Sequence, residues 1–447
     1  MNLIDHSLEE IIFLKKIASN IIEKIRYKFK EIEVTILKRT GISLDIRWGK
    51  IENIIYNNDN YIKLIIFSNK RKSIVSSTDL SYKSINKIIN HANDILKYTT
   101  KDLQYGLPAK EILAFKALDL NLYHPIKNFN LIKIIDLISE VEQYGLDNDK
   151  RIINTEGSNF QSNIVTKIIG NSHNFIQSST GSKYSISCSL IAKDNNSMER
   201  DYSYSISRSL KDLNSPIFIG KDCAKKVISR LNSRKIFTQN SPVLFSSEIA
   251  VSIFYYLSKA IFGEIVYKKS TFLLKYLGKK IFPSWISIKE FPHILKGLYS
   301  SYFDQEGVKT SNLKIVKNGI LNTWLLNNFY AKKLGFISNG HDGNIYTWKV
   351  SNKNLTKNEL IKLMYKGLIV TETMGQGINY MTGDYSKGVS GFWVENGKIQ
   401  FPVKEITIAG NLKNMFLDII NISNDIELRT NIQCGSILIS SMKIAGI

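Results

Sequence analysis

The sequence predicts an α+β protein of two domains: an N-terminal helix-flanked antiparallel sheet over residues 1–236 and a C-terminal sheet-rich domain with hairpins over 237–447. Three observations predict it. At 447 residues the chain exceeds the length at which one hydrophobic core usually stops growing. Helical and strand-type patterns come in separate blocks instead of alternating as they do in doubly wound sheets. Two Asn-Gly dipeptides, Asn318-Gly319 and Asn396-Gly397, each join a pair of β-type runs, and the type I′ turn they favour needs positive φ at both central residues.

The first block, Ser7 to Lys30, places Ile11, Ile12, Leu14, Ile17, Ile21, Ile22 and Ile25 at helical spacing opposite Lys15, Lys16, Glu23 and Lys24, which predicts an amphipathic helix. From Ile32 to Ser77 the pattern becomes short β-branched runs. Trp48-Gly49-Lys50 and Asn57-Asn58-Asp59-Asn60 read as turns between them, so an antiparallel meander is expected. Helices are expected from Tyr82 to Lys97 and from Leu131 to Val141, and strands over Ile152–Ser207, punctuated by Gly157, Gly170 and Gly181. A short basic helix follows over Lys221–Ser233, and the pattern changes character at Asn240-Ser241-Pro242. The second domain then opens with a strand at Pro242–Phe245 and a helix through Ile261 with Ser246 or Ser247 as N-cap. Lys314–Lys317 and Ile320–Trp324 flank the first Asn-Gly turn, and Asn328–Leu334 reads as helix.

The formal charge of +21 and a pI near 9.5 invite a nucleic-acid reading. The basic residues, however, are spread along the whole chain in only short clusters, and lysine, asparagine and isoleucine are heavily used everywhere. This is a bias of composition with solvated lysines as its outcome, and it does not call for a nucleic-acid surface. Cys188, Cys223 and Cys434 lie far apart without metal-ligand spacing, which suits a reducing compartment. Asp5, Glu9 and Glu10 interrupt the place of a signal core, and Glu248 and Lys259 interrupt the most apolar segment, Val243–Phe262. A cytoplasmic protein without a membrane span is expected.

The densest turn and aromatic signals run from Thr373 to Leu412. Gly375, Gly377, Gly383, Gly388 and Gly391 predict a shaped loop there, and Gly391–Glu395 and Lys398–Phe401 predict a hairpin across Asn396-Gly397. The wording of residues 383–412, with Phe303-Asp304-Gln305-Glu306-Gly307-Val308, Asn424-Asp425 and Asn431–Ser436, closely resembles the TldD/PmbA metalloprotease family, and within it the PmbA (TldE) branch.

That resemblance implies a cytoplasmic metallopeptidase system that cleaves unfolded or extended peptides, with zinc held by a TldD-type partner and no cofactor in this chain. The TldD branch carries an HExxxH motif on the helix after the first strand of the second domain. A zinc-bound water there loses a proton to the glutamate and attacks a peptide carbonyl. The corresponding stretch here is Ser247-Glu248-Ile249-Ala250-Val251-Ser252, so the glutamate is kept and serines replace both histidines. His6, His91, His124, His173, His293 and His341 are isolated and supply no substitute pair. Glu248 is the candidate general base, although it reads more readily as a first-turn carboxylate favoured by the helix dipole. Cys434 resembles a further ligand of the catalytic branch but reads as a small buried residue in a strand. Gly375, Gly377, Asp384, Tyr385 and Gly388 are the expected substrate or partner cleft, and Asp304 and Glu306 are carboxylates beside glycine that could meet a ligand or simply form a turn. Two other classes fit the sequence less well: a non-enzymatic interaction protein, the older view of this family as a modulator of DNA gyrase, and an independent metalloprotease using an unrecognised site.

Overall fold

The computed structural model describes residues 8–447, so Asp5, His6 and the helix start expected at Ser7 lie outside the described residues. The N-terminal half is one six-stranded antiparallel meander in the order β3-β2-β1-β4-β5-β6. Its strands are β1 (Glu31–Arg47), β2 (Lys50–Ser68), β3 (Arg71–Ser77), β4 (Ile152–Asn171), β5 (Phe175–Asp194) and β6 (Ser197–Ser207). Period-two alternation assigns the two faces. Ile32, Val34, Ile36, Ile42, Leu44 and Ile46 all point one way along β1. They are covered at one end by α1 (Leu8–Ile25) and α2 (Tyr82–Tyr98), and at the other by α3 (Leu131–Leu146) and α4 (Pro216–Ser229). The opposite face, which carries Glu33, Arg39, Asn163, Lys167 and Lys183, is turned toward the C-terminal half.

The C-terminal half begins with β7 (Gln239–Phe245), α5 (Ser247–Ala260) and α6 (Gly263–Tyr267). A small sheet follows, built from β8 (Ile288–Phe291), β9 (Leu313–Lys317) and β10 (Ile320–Leu321), then α7 (Asn328–Leu334) and β11 (Thr347–Val350). The last stretch holds α8 (Lys357–Met364), β12 (Gly367–Met374), β13 (Asp384–Glu395), β14 (Lys398–Asn411), α9 (Leu412–Leu417), β15 (Ile419–Ile422), β16 (Ile432–Gln433) and β17 (Ile437–Ala445). The larger sheet runs β14-β13-β12-β7-β17-β15, and β14 also pairs with β17, which closes five strands into a ring. Closure removes two free strand edges. The ring interior and α5 share one core that includes Val243, Phe245, Phe254, Tyr385, Val389 and Ile439.

The α+β class stands, and both Asn-Gly hairpins form, with φ of 50° and 78° at Asn318 and Gly319 and 52° and 67° at Asn396 and Gly397. Other expectations need correction. Asn57–Asn60 is not a turn but the middle of β2, laddered against Lys38–Gly41, because a long antiparallel partner outweighs the local turn preference of asparagine. The basic helix starts at Pro216, with the Ser215 hydroxyl accepting from the Phe218 N–H, and ends at Ser229, four residues short of the expected end. Ser246 occupies the N-cap of α5 without a side-chain capping bond. Gly388 and Gly391 lie within β13, so the glycine loop reduces to residues 375–383, and Cys434 sits in the link between β16 and β17 instead of in a strand.

Candidate functional site

The strand-to-helix junction β7–α5 delivers Glu248 to a cleft of about 480 Å³ between the two halves, lined also by Tyr204, Lys226, Arg230 and Glu372. The junction is pinned where it leaves the core. The Ser246 N–H donates to Val370 O at 2.9 Å, and the Ser247 N–H to Ser436 Oγ at 3.1 Å. Glu248 lies in the first turn of α5, where the helix dipole favours its charge. Its Oε1 accepts from Lys226 Nζ at 2.9 Å and from Arg429 Nη2 at 2.7 Å. Partial burial pushes the Glu248 pKa up, but Lys226 and Arg429 outweigh it and hold the carboxyl below its ordinary value.

Arg429 is itself clamped. It forks onto Glu427, donates to Tyr204 O at 3.2 Å and lies 4.2 Å from the centroid of the Tyr204 ring. Arg230 adds a second tie between the halves, bonded to Asp201 at 2.6 Å and to Glu372. The cleft around Glu248 is therefore a latticework of ion pairs joining α4 and β6 to the C-terminal sheets.

As a zinc site this set of donors does not fit. The Ser247 and Ser252 hydroxyls are poor substitutes for imidazole, and Glu248 is already committed to two cations. Cys434 is fully buried, and burial first, then Asp425 and Glu427, pushes its thiol pKa up, away from the thiolate that binds metal. Among the described residues no three His, Cys, Asp or Glu side chains group to hold a metal ion.

The remaining sequence candidates are dispersed. Gly375, Gly377 and Asp384 are exposed on the 375–383 loop and at the start of β13, and Gly388 lies within β13 opposite Met374 and Thr407. None of them lines the Glu248 cleft, whose wall on this side is Thr371, Glu372, Thr373 and Phe392. Tyr385 is a core residue, not a cleft residue: it is 1% exposed and packs edge-on against Phe245 and Tyr256, because inward alternation at the start of β13 turns it into the ring. His124 Nε2 meets Asn121 O at 3.0 Å, and His293 Nε2 meets Thr310 Oγ1 at 2.8 Å.

The pairing that sequence reading missed is His341 with Glu290. Both are buried, with His341 Nε2 2.7 Å from Glu290 Oε2, and Glu290 Oε1 accepts from the Tyr346 N–H and Trp348 Nε1, each at 2.9 Å. Beside them Asp304 Oδ1 accepts from the N–H groups of Glu306 and Val308 at 2.9 Å, and Lys167 Nζ donates to Asp304 O at 2.9 Å. Burial pushes Asp304 up to about 6 and Lys167 down to about 8, and it raises Glu306 well above its ordinary value.

Glu33, on the sheet face opposite, is raised from 4.5 to about 6 by burial, which its neighbour Lys63 at 3.6 Å only partly offsets. A raised folded-state pKa favours the protonated form, so this stabilisation is complete below pH 4.5 and is lost as pH rises through about 6. Glu33→Gln should accordingly gain roughly 2 kcal/mol relative to the parent between acid and neutral pH. Urea denaturation of both proteins across that range checks this, and parallel stability curves would refute it.

Comparison with known proteins places the chain. Residues 124–231 match the PmbA/TldA metallopeptidase central domain and residues 238–446 the PmbA/TldA metallopeptidase C-terminal domain. The chain is 47% identical over 433 residues to the metalloprotease PmbA of Escherichia coli O157:H7, covering 97% of this chain and 96% of that one. It is 44% identical to a metalloprotease PmbA homolog of Buchnera aphidicola subsp. Acyrthosiphon pisum, with 100% of both chains covered. In fold it superposes on a crystal structure from Bacteroides thetaiotaomicron described as a putative modulator of DNA gyrase. That match has a TM-score of 0.91 at 24% identity, covering 99% of this chain and 100% of the other. Among the described residues no helix is long and apolar enough to cross a membrane. With both domain models and full-length relatives in agreement, the chain belongs to the PmbA/TldD metallopeptidase family, on its PmbA branch.

Proposed function

We propose that this chain is the non-zinc subunit of a two-subunit cytoplasmic peptidase, in which a TldD-type partner holds the zinc and this chain supplies scaffold and substrate channel for extended peptides. The observation that carries the reading is the state of Glu248. A general base must accept a proton from a metal-bound water, yet this carboxylate is held in its charged form between Lys226 and Arg429 with serines in the two ligand positions. Three buried cysteines, all free, suit the reducing compartment.

Purified alone, the chain is expected to bind no stoichiometric zinc and to hydrolyse no casein-derived or synthetic peptide. Co-expressed with a TldD-type chain from the same source, it should co-purify and give a chelator-sensitive peptidase. Metal content by mass spectrometry and peptide release by chromatography read both outcomes. Chelator-sensitive hydrolysis by this chain alone would overturn the division of labour, as would full activity of the partner in its absence.

A further inference from the structure

A second cleft, of about 600 Å³, lies between the exposed face of the N-terminal sheet and the 299–305 and 344–346 segments of the C-terminal half. Ligand pockets typically occupy 300–1,000 Å³, so it has room for a short extended peptide. The sheet supplies its floor in register. Arg39 on β1 is opposite Val165 on β4, which is opposite Gly181 on β5, and Asn163 pairs with Lys183 one step along.

The charge of this cleft is unbalanced. Arg39, Lys167, Lys183 and Arg208 line it against a single carboxylate, Asp304, which is 3% exposed and turned toward the backbone N–H groups of Glu306 and Val308. No salt bridge among the described residues reaches Arg39, Lys183 or Arg208. Among the described residues Arg208 is anchored by neutral carbonyls, those of Ser182 at 3.1 Å, Gly297 at 3.2 Å and Leu298 at 2.8 Å. Among the described residues Lys183 meets the Tyr299 ring, its Nζ 5.7 Å from the centroid. The room for the guanidinium is built in, since a Cβ at Gly181 would stand 2.7 Å from Arg208 Nη1.

Half-burying two cations side by side is unfavourable unless an anion joins them. Burial accordingly pushes Arg208 down to about 10, and burial together with the neighbouring Arg208 lowers Lys183. Asn163 on the same floor has a buried side-chain oxygen to which no protein group donates.

We propose that this cleft binds a carboxylate of an extended peptide through Lys183 and Arg208, with Arg39 at the rim, so that acidic or free C-terminal segments are the preferred ligands. The carboxylate completes the ion pairs that the fold leaves open. The inference deepens the peptide reading above, but it concerns binding by this chain alone. Its outcome is therefore separate from whether a zinc-bearing partner supplies hydrolysis.

The test is fluorescence anisotropy with the full chain and a short fluorescein-labelled peptide carrying two glutamates and a free C-terminus. Parallel arms use the amidated peptide, the peptide with glutamine for both glutamates, and single-stranded DNA. Loss of affinity on amidation assigns the C-terminal carboxylate, and loss on glutamine replacement assigns the side chains. Lys183→Gln should weaken binding about tenfold or more, the size of a hydrogen bond to a charged group. Arg208→Gln should do the same, but Arg208 also ties backbone carbonyls, so Lys183→Gln, with an unchanged melting temperature, is the decisive variant. Undiminished binding by Lys183→Gln overturns the proposal, as does equal affinity for the neutral peptide, no peptide binding by the parent, or tighter binding of the DNA.

Discussion

Replacing Glu290 with alanine is expected to lower the stability of the C-terminal half by about 3–5 kcal/mol, the range expected when three buried donors lose one shared acceptor. Glu290 is 0% exposed and accepts three hydrogen bonds, from His341, Tyr346 and Trp348. Alanine leaves all three partners buried without an acceptor, and each such group carries its own desolvation cost. Glutamine retains an oxygen for the Tyr346 N–H and Trp348 and loses only the acceptor that faces His341, so Glu290→Gln should cost less than the alanine change. Urea denaturation followed by tryptophan fluorescence measures both, since Trp348 itself touches the site. A loss below about 1 kcal/mol for Glu290→Ala would mean that the network contributes no more than an ordinary surface contact.

Gly391→Ala should be at least as damaging, on the order of 4 kcal/mol or more, because the clash is with backbone that cannot rotate away. A Cβ there would stand 1.8 Å from Ile369 O and 2.8 Å from Ile369 C, at the point where β12 and β13 shift register. Gly388 on the same strand is the control. A Cβ at Gly388 first meets Met374 Cβ at 3.6 Å, an ordinary contact, so Gly388→Ala should leave the melting temperature nearly unchanged. Equal melting temperatures for the two variants would show that β13 can shift to accommodate the extra carbon.

These two sites differ in how far sequence reading could reach them. The glycines of residues 375–391 were visible as a group, yet the group conflates two physical situations. Gly375 and Gly383 have positive φ and belong to a loop, whereas Gly391 sits in a strand where another backbone approaches. Neither situation can be told from the other without the neighbouring strand. Glu290 and His341 are 51 positions apart, with nothing local to link them. The Glu248 cleft was half legible. Serines at the two ligand positions exclude an imidazole pair on residue identity alone, but the cations that hold Glu248 come from α4 and from the β15–β16 link and converge only in the fold.

By itself the sequence determined what depends on near neighbours along the chain: the two Asn-Gly hairpins, the helix at Asn328–Leu334, and the absence of paired histidines on α5. These follow from steric limits on φ and from the helical and strand periods, which act over a few residues. Tertiary structure alone decided that Asn57–Asn60 pairs as strand, that five strands close into a ring, and that Tyr385 is core. It also decided that Arg39, Lys183 and Arg208 share one cleft. Burial and charge neutralisation depend on groups brought together from distant positions. Their magnitudes follow from local dielectric and from what lies opposite, quantities defined only once the sheets have packed.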